Sequence, residues 1–270
     1  TGLNLKIAAP DLAFVGYQGS EVSRFIPTIQ SDDVDLVAYH MYDSYQEGMD
    51  GSISVLRENS RQIGKIRRTT FPNKGFWMTE TTGAQWNNDV WHTYGWTPKS
   101  SELDKAIMAA QYAHMSLVDA EANVFMWWGL IYSLAPDKET NPKVREKHRD
   151  EGLILVEEQP SSSGRQKFIE KTKKFYVLKQ FINFLSQGYR RIDVNSPSPL
   201  MVSAYLNKSE NKGVIVAINP TKEIIGLDIQ YPNGSTLDKA FQTDRYLDCE
   251  HVKASSPLNP KAVRTIVYTF

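Results

Sequence analysis

At 270 residues, with 41% hydrophobic and 23% charged residues, the chain can bury a sizeable core as one large domain or two smaller ones. Lys plus Arg and Asp plus Glu both number 31, a balance that provides no field to attract nucleic acid, an anionic membrane or a highly charged ligand. The single cysteine, Cys249, excludes an intramolecular disulfide and any multi-cysteine zinc site, and no apolar run reaches the roughly 20 residues that span a bilayer. Thr1-Gly2-Leu3-Asn4 lacks the charged and apolar regions of a signal peptide, so the expectation is a removed leader or an incomplete chain.

Up to about residue 188, short apolar runs alternate with segments of helical period, the pattern of parallel strands joined by crossover helices. Four runs carry it: Leu5-Lys6-Ile7-Ala8-Ala9, Asp35-Leu36-Val37-Ala38-Tyr39, Gly75-Phe76-Trp77-Met78-Thr79 and Ala122-Asn123-Val124-Phe125-Met126-Trp127-Trp128. After the second run, Ile53, Leu56, Ser60, Ile63 and Arg67 mark one helix face. Ser101-Glu102-Leu103-Asp104 reads as a helix-start box before Ile107, Ala110, His114 and Leu117. A last helix is predicted over roughly Gln166 to Leu185, with Phe168, Thr172, Phe175, Ile182 and Leu185 near one face, solvated lysines on the other and Gly188 as its stop. The stretch from Ala135 to Gly164 reads as a long loop. After Gly188 the period falls to about two, which predicts a small antiparallel β-sandwich with strands at Arg190–Val194, Met201–Leu206, Val214–Asn219, Ile224–Gln230 and Val263–Phe270.

Glu80 follows the third run, where the chain leaves the strand at Thr81-Thr82-Gly83. In a βα barrel, carboxylates at this end of a strand face the active site, while a salt-bridged or loop-capping glutamate is the structural alternative. His40 and Tyr42 stand two residues apart beyond the second run, so a continuing strand would send both to one pocket; a pair of buried, satisfied polar residues fits equally. Trp127 and Trp128 end the fourth run, one suited to stacking on a sugar ring and one to core packing. Trp86, Trp91 and Trp96 lie in the segment after Glu80, where they either line a cleft or pack that loop. The five histidines form no ligand-spaced cluster, and Gly83, Gly95 and Gly129 form no phosphate-cradling loop, so neither a metal nor a cofactor is expected.

Trp77-Met78-Thr79-Glu80 resembles the nucleophile motif of glycoside hydrolase family 30, in the large clan of retaining barrel glycosidases. Ile7-Ala8-Ala9-Pro10-Asp11 is similar to the family's fifth strand, Tyr39-His40-Met41-Tyr42 to its sixth and Phe125-Met126-Trp127-Trp128 to its eighth. Phe175-Tyr176-Val177-Leu178, Gly188-Tyr189-Arg190-Arg191-Ile192, Met201-Val202-Ser203-Ala204-Tyr205 and Val214-Ile215-Val216-Ala217-Ile218-Asn219 resemble the last helix and side sandwich, closest in wording to the bacterial xylanase branch. The resemblance implies the second half of a (β/α)8 barrel, strands five to eight, over residues 1–188, and a β-sandwich over 189–270. It implies Glu80 as nucleophile, with His40, Tyr42, Trp86 and Trp128 at the sugar.

Two departures qualify it. Gly129-Leu130-Ile131-Tyr132-Ser133 stands where the xylanase branch carries arginines that grip a glucuronate branch, and no Asn-Glu dipeptide supplies the family's acid/base. Retaining hydrolysis needs two carboxyl groups about 5–5.5 Å apart. Glu21, Glu47, Glu58 and Glu121 lack a strand-end motif, so the expectation is a piece of a longer enzyme, inactive by itself. The implied protein is an extracellular or periplasmic hydrolase of a polysaccharide or glycoconjugate: a xylanase, a β-1,6-glycanase or a glucosylceramidase-like enzyme. A non-catalytic carbohydrate-binding protein is the alternative.

Overall fold

The computed structural model describes residues 5–12, 24–25, 28–29, 31–41, 53–82, 85–87, 90–92, 101–134, 151–157, 167–196 and 199–270. The chain divides into two compact units, Thr1–Ser100 with Met115–Glu170 and Ser101–His114 with Lys171–Phe270. A boundary at residue 188 marks the change of sequence period, whereas this division groups two helices with the strands that follow them.

The first unit is built on a four-stranded parallel sheet of β1 (Ala8–Leu12), β2 (Leu36–His40), β3 (Gly75–Glu80) and, beyond an antiparallel pair of β4 (Gln85–Asn87) with β5 (Val90–His92), β6 (Val124–Phe125). Its order is β1-β2-β3-β6, with all three neighbouring pairs parallel. β1 begins three residues later than the apolar run suggests. Asp35 accounts for the shift, because its carboxylate takes the Ile7 amide at 2.8 Å and the Lys6 ammonium at 2.9 Å, tying residues 6–7 to the mouth of β2. The fourth run pairs over Val124–Phe125 only, after which single bonds from Met126 N to Met78 O and from Trp128 N to Thr81 O, both 2.9 Å, carry it along β3.

Helix α1 (Ile53–Thr70) connects β2 to β3 and buries Leu56, Ser60 and Ile63, the stripe its spacing predicts. Gly64 is required on that face, since a Cβ there would lie 2.4 Å from the Asp119 carbonyl. Arg57 meets the Asp119 carboxylate at 3.1 Å and Arg67 meets Glu121 at 2.8 Å, so α1 is pinned to the π-helical turn Met115–Asp119 and the approach to β6.

Between residues 135 and 164 the expected uninterrupted loop is corrected. Ile154–Glu157 forms β8, parallel to β7 (Ile131–Leu134), and β9 (Lys167–Lys171) completes a three-stranded sheet in the order β7-β8-β9. Leu153-Ile154-Leu155-Val156 is an apolar run hidden by the charged residues before it. The helix expected from Gln166 is corrected as well, because β9 occupies its first turns.

In the second unit, α2 (Glu102–His114) starts at the predicted box: Asp104 N donates to Ser101 Oγ at 3.2 Å and Ser101 N donates back to Asp104 Oδ2 at 3.3 Å. Helix α3 spans only Lys173–Ile182, with Asn183 as its C-cap, and Gly188 makes a later turn at φ +103° instead of ending the helix. The shorter helix rotates the buried stripe to Lys174, Val177, Leu178 and Phe181, leaving Ile182 71% exposed. Lys174, expected on a solvated face, is fully buried, its ammonium 3.8 Å from Glu102 of α2.

An antiparallel sheet of β10 (Arg190–Ile192), β11 (Met201–Asn207), β12 (Lys212–Asn219), β13 (Thr236–Thr243), β14 (Asp248–Val252) and β15 (Ala262–Thr269) runs in the order β10-β11-β12-β15-β13-β14. One ladder thus links all six described strands where two facing sheets were expected; β13, bulged at Asp238, pairs with both β15 and β14. Residues 224–230 form no strand, only a bridge between Ile225 and Leu258, because Asn219 Nδ2 binds the carbonyls of Glu223 at 2.7 Å and Asn259 at 2.9 Å. One face buries Ala204, Ile215, Ala240, Ile266 and Tyr268 against Ile229 and Tyr231. The helical layer is tied on by side chains, with Gln180 Nε2 on Thr243 Oγ1 at 2.9 Å and Thr265 Oγ1 on the Gln180 carbonyl at 2.6 Å.

A polar knot closes this unit. Arg264, 1% exposed, donates to Gln242 Oε1 and to the carbonyls of Ala254, Ser256 and Pro257. Asp244 accepts from Asn259 and Gln242 side chains and from the amides of Tyr246 and Leu247. Burial works against its charge, but these donors outweigh burial and hold the carboxyl below its ordinary value. The folded state therefore binds that proton more weakly than the unfolded chain. The stability so gained is complete above the unfolded carboxylate pKa of about 4 and is lost as pH falls through the folded value. Arg264→Leu is expected to cost about 3 kcal/mol by leaving Gln242 and three carbonyls unsatisfied, and Asp244→Asn to flatten the acid limb of stability against pH. Denaturant titration between pH 3 and 7 checks both; an unchanged midpoint for Arg264→Leu would refute the account.

Candidate active site

The carboxyl ends of β1, β2 and β3 meet in an irregular register. On one side of β2, Pro10 pairs with Ala38 but Leu12 pairs with Tyr39, so Asp11 is an extra residue; on the other, Tyr39 pairs with Met78 but His40 pairs with Glu80, so Thr79 is extra. These are bulges, which break the period-two alternation and re-aim the side chains that follow. The two extra residues touch: the Thr79 hydroxyl lies 2.6 Å from Asp11 Oδ1 and 3.1 Å from the Tyr39 carbonyl. Asp11 adopts φ +56°, a left-handed backbone that aspartate tolerates better than most residues.

Bulging brings His40 opposite Glu80. The imidazole lies between two carboxylates, with Nε2 3.3 Å from Asp11 Oδ1 and Nδ1 3.7 Å from Glu80 Oε1. The Glu80 side chain keeps 27% of its surface accessible. Its backbone is fixed by the bond from Met41 N to the Glu80 carbonyl at 2.9 Å, and Thr81 Oγ1 caps the Met41 carbonyl at 2.9 Å. The result is an accessible carboxylate on a rigid strand end, with an imidazole beside it.

Beyond β6 the paired tryptophans separate. Trp127 is half-buried and donates its indole N–H to the Glu151 carbonyl at 2.9 Å, while Trp128 is 52% exposed. Gly129 then turns at φ +93° under the Tyr132 ring, where a Cβ would fall 2.1 Å from a ring carbon. Leu153 N to the Gly129 carbonyl, 3.1 Å, and Ile154 N to the Leu130 carbonyl, 2.8 Å, zip this turn to β8. The Tyr132 phenol is pushed up to about 12, chiefly by burial and then by the charge and hydrogen bond of Glu151, with a smaller contribution from the Glu80 charge. It therefore stays a neutral donor at any physiological pH.

Of the residues singled out from sequence, Glu80 and His40 come together, and Trp128 stands on the neighbouring turn. Tyr42 and Trp96 lie outside the described residues. Trp86 pairs in register with Trp91 across β4 and β5, and the side chains of both lie outside the described set. Glu58 and Glu121 serve structure: Glu58 accepts from Gln62 at 2.7 Å, and Glu121 holds Arg67 and Arg68. Asp11, Tyr132 and Glu151 were not anticipated as site residues. Asp11 had a signal, since it ends an apolar run just as Glu80 does. Glu151 had none, sitting in a charged stretch with no visible period.

No family model matches the chain. Glucuronoxylanase XynC of Bacillus subtilis is 27% identical over 205 residues, which is 74% of this chain and 37% of that protein; the XynC of strain 168 is 27% identical over 211 residues, 76% and 39%. The chain is homologous to these glucuronoxylanases. It covers only the C-terminal part of its neighbours, well under two thirds of their length. Two solved structures share its fold at 20% identity: a glycoside hydrolase family 30 endoxylanase from Clostridium papyrosolvens C71, TM-score 0.62, matched over 100% of this chain and 57% of that one, and the family 30 subfamily 8 xylanase Xyn30A from Clostridium acetobutylicum, TM-score 0.60, over 98% and 56%. The resemblance read from Trp77 to Glu80 and its companion segments agrees with this homology and with the shared fold.

Gly129 provides a local test of this geometry. Gly129→Ala combines a disfavoured backbone region with a collision against the Tyr132 ring, and is expected to destabilise the protein by about 2–3 kcal/mol. Thermal and denaturant melts measure it; a neutral substitution would mean that the ring does not cover this turn.

Proposed function

We propose that the chain is the C-terminal portion of a retaining O-glycoside hydrolase of polysaccharides or glycoconjugates, with Glu80 as nucleophile. In this reading β1, β2, β3 and β6 are strands five to eight of a (β/α)8 barrel within residues 1–188, and residues 189–270, whose described strands run in one antiparallel ladder, form its β side domain. The observation that carries it is an accessible carboxylate at the carboxyl end of a parallel strand, 3.7 Å from His40, in a chain homologous to a glucuronoxylanase.

In double displacement, Glu80 attacks the anomeric carbon while an acid protonates the departing glycosidic oxygen. Water, deprotonated by the same acid/base group, then attacks the glycosyl-Glu80 ester and frees the carboxylate. No cofactor enters. Glu80 fills one role, and the second carboxyl, about 5–5.5 Å away, is expected on the part of the relatives' length that these residues do not cover. The 270 residues alone are expected to turn over poorly. His40, Tyr42, Trp86 and Trp128 line the reacting sugar's site in this reading, with an exposed indole suited to the apolar face of a pyranose.

Xylan is the first substrate to try, because the curated relatives are named glucuronoxylanases; β-1,6-glycans and glucosyl conjugates come next. An extracellular or periplasmic site of action suits a polymer substrate, and no described helix is long and apolar enough to cross a membrane. In the full-length protein, Glu80→Gln is expected to lower reducing-sugar release from xylan by about a thousandfold or more while leaving oligosaccharide binding within a few fold. Full activity in that variant would sink the proposal. Binding by the unaltered protein without turnover of any glycan would instead favour a non-catalytic carbohydrate-binding protein.

A further inference from the structure

One oxygen of Asp11 meets two side chains. Its Oδ1 accepts from the Thr79 hydroxyl at 2.6 Å and lies 3.3 Å from His40 Nε2. The first contact aligns the two bulges; the second bears on chemistry. Other carboxylates of this unit are taken up by arginines, Asp119 by Arg57 and Glu121 by Arg67 and Arg68. Asp11 has no lysine or arginine beside it among the described residues. Its backbone stands at φ +56°, where aspartate and asparagine are tolerated and most other side chains are strained. A residue kept in such a conformation without an ion pair to justify it directs attention to what it touches.

What it touches is an imidazole. A neutral imidazole can carry its hydrogen on either nitrogen, and the ring can turn about two side-chain torsions. A carboxylate can only accept, so at Nε2 it selects an N–H there and fixes which edge of the ring faces the other way. On that other edge Nδ1 lies 3.7 Å from Glu80 Oε1. Asp11 is restrained in turn, because the Thr79 hydroxyl that holds its oxygen also lies 3.1 Å from the carbonyl of Tyr39, the residue before His40. Carboxylate, imidazole and carboxylate therefore follow one another across the ends of β1, β2 and β3.

We propose that Asp11 is a positioning residue that orients the His40 ring through Nε2 and thereby confines the Glu80 carboxylate to the geometry from which it attacks. It is the third group of a triad in the general sense, one that orients the neighbour of a reacting atom. Its task is placement and not proton transfer, so any acceptor oxygen at that point serves. The catalytic consequence rests on Glu80 being the nucleophile, as proposed above; the orientation of the ring by Asp11 does not.

The test uses the full-length protein with isotope-labelled histidine side chains, the His40 signals being assigned by their loss in His40→Asn. Asp11→Gly removes the carboxylate at a backbone position that glycine tolerates. Asp11→Asn keeps an acceptor oxygen there, and Thr79→Val removes the anchor without touching the left-handed residue. Asp11→Gly is expected to move the His40 Nε2 signal toward that of a mixed tautomer and to lower kcat on xylan about 30-fold, with KM changed by about twofold or less. Asp11→Asn should return kcat to within about threefold of the unaltered protein, and Thr79→Val should fall between the two. Thermal melts show whether each variant folds; if Asp11→Gly does not, Thr79→Val decides by the same two readings.

An unmoved His40 signal in the folded variant overturns the proposal at its first step. A moved signal with unchanged kcat overturns the link to Glu80. Asp11→Asn as slow as Asp11→Gly means that Asp11 supplies charge instead of placement, and overturns the geometric account. If Glu80→Gln keeps full activity while the His40 signal responds as expected, the nucleophile reading fails and the orientation of His40 by Asp11 stands.

Discussion

The site depends on one contact between two irregularities. Asp11 and Thr79 are each one residue too many for their strands, and they meet across Tyr39 through a 2.6 Å hydrogen bond. In a regular parallel sheet His40 would pair with Thr79, and Glu80 would sit one step out of phase with it. Two bulges at the same height correct the phase on both sides of β2. A single hydrogen bond contributes only about 1 kcal/mol net, so its importance here is positional. It makes two local defects agree, and β2 delivers its imidazole between two carboxylates.

The carboxylates of this unit differ in setting. Glu80 is partly accessible at a strand end, backed by backbone bonds that hold its main chain. Glu151 is buried, and its backbone carbonyl accepts from the Trp127 indole. A group that must attack a substrate needs reach and a free lone pair; a group that must hold others in place needs partners. Environment sorts chemically identical side chains into those roles, as it does wherever paired acids share a site.

What was legible in the sequence followed periodicity and charge. Leu56, Ser60 and Ile63 declared a helix face, Ser101 with Asp104 declared a helix start, and an apolar run ending in Glu80 declared a strand end. What escaped lacked a period. β13 reads Thr-Leu-Asp-Lys-Ala-Phe-Gln-Thr, and its buried end is polar because Gln242 and Thr243 are satisfied by Arg264 and Gln180, residues distant in sequence. Lys174 was misjudged for the same reason: a lysine looks solvated until a helix from elsewhere supplies Glu102. The resemblance to glycoside hydrolase family 30 reached the strand ends, but it could not reach Tyr132, which lies where the sequence departs from that pattern, or Glu151, which lies in none of the matching segments.

Placement at a strand end also explains why the position of Glu80 can be read from a partial length of its relatives. A parallel strand in a sheet is fixed by its neighbours on both sides, so β3 needs only β2 and β6 to set Glu80 in space. Its chemical partner carries no such local constraint, since a second carboxyl need only arrive at the right distance from any strand whose end opens on the same side. Local sheet geometry therefore determines where Glu80 stands, while the second carboxyl of the proposed reaction is one that no pairing within β1, β2, β3 and β6 demands. In the proposed reaction the nucleophile thus belongs to this sheet, and the proton donor to the whole barrel proposed to contain it.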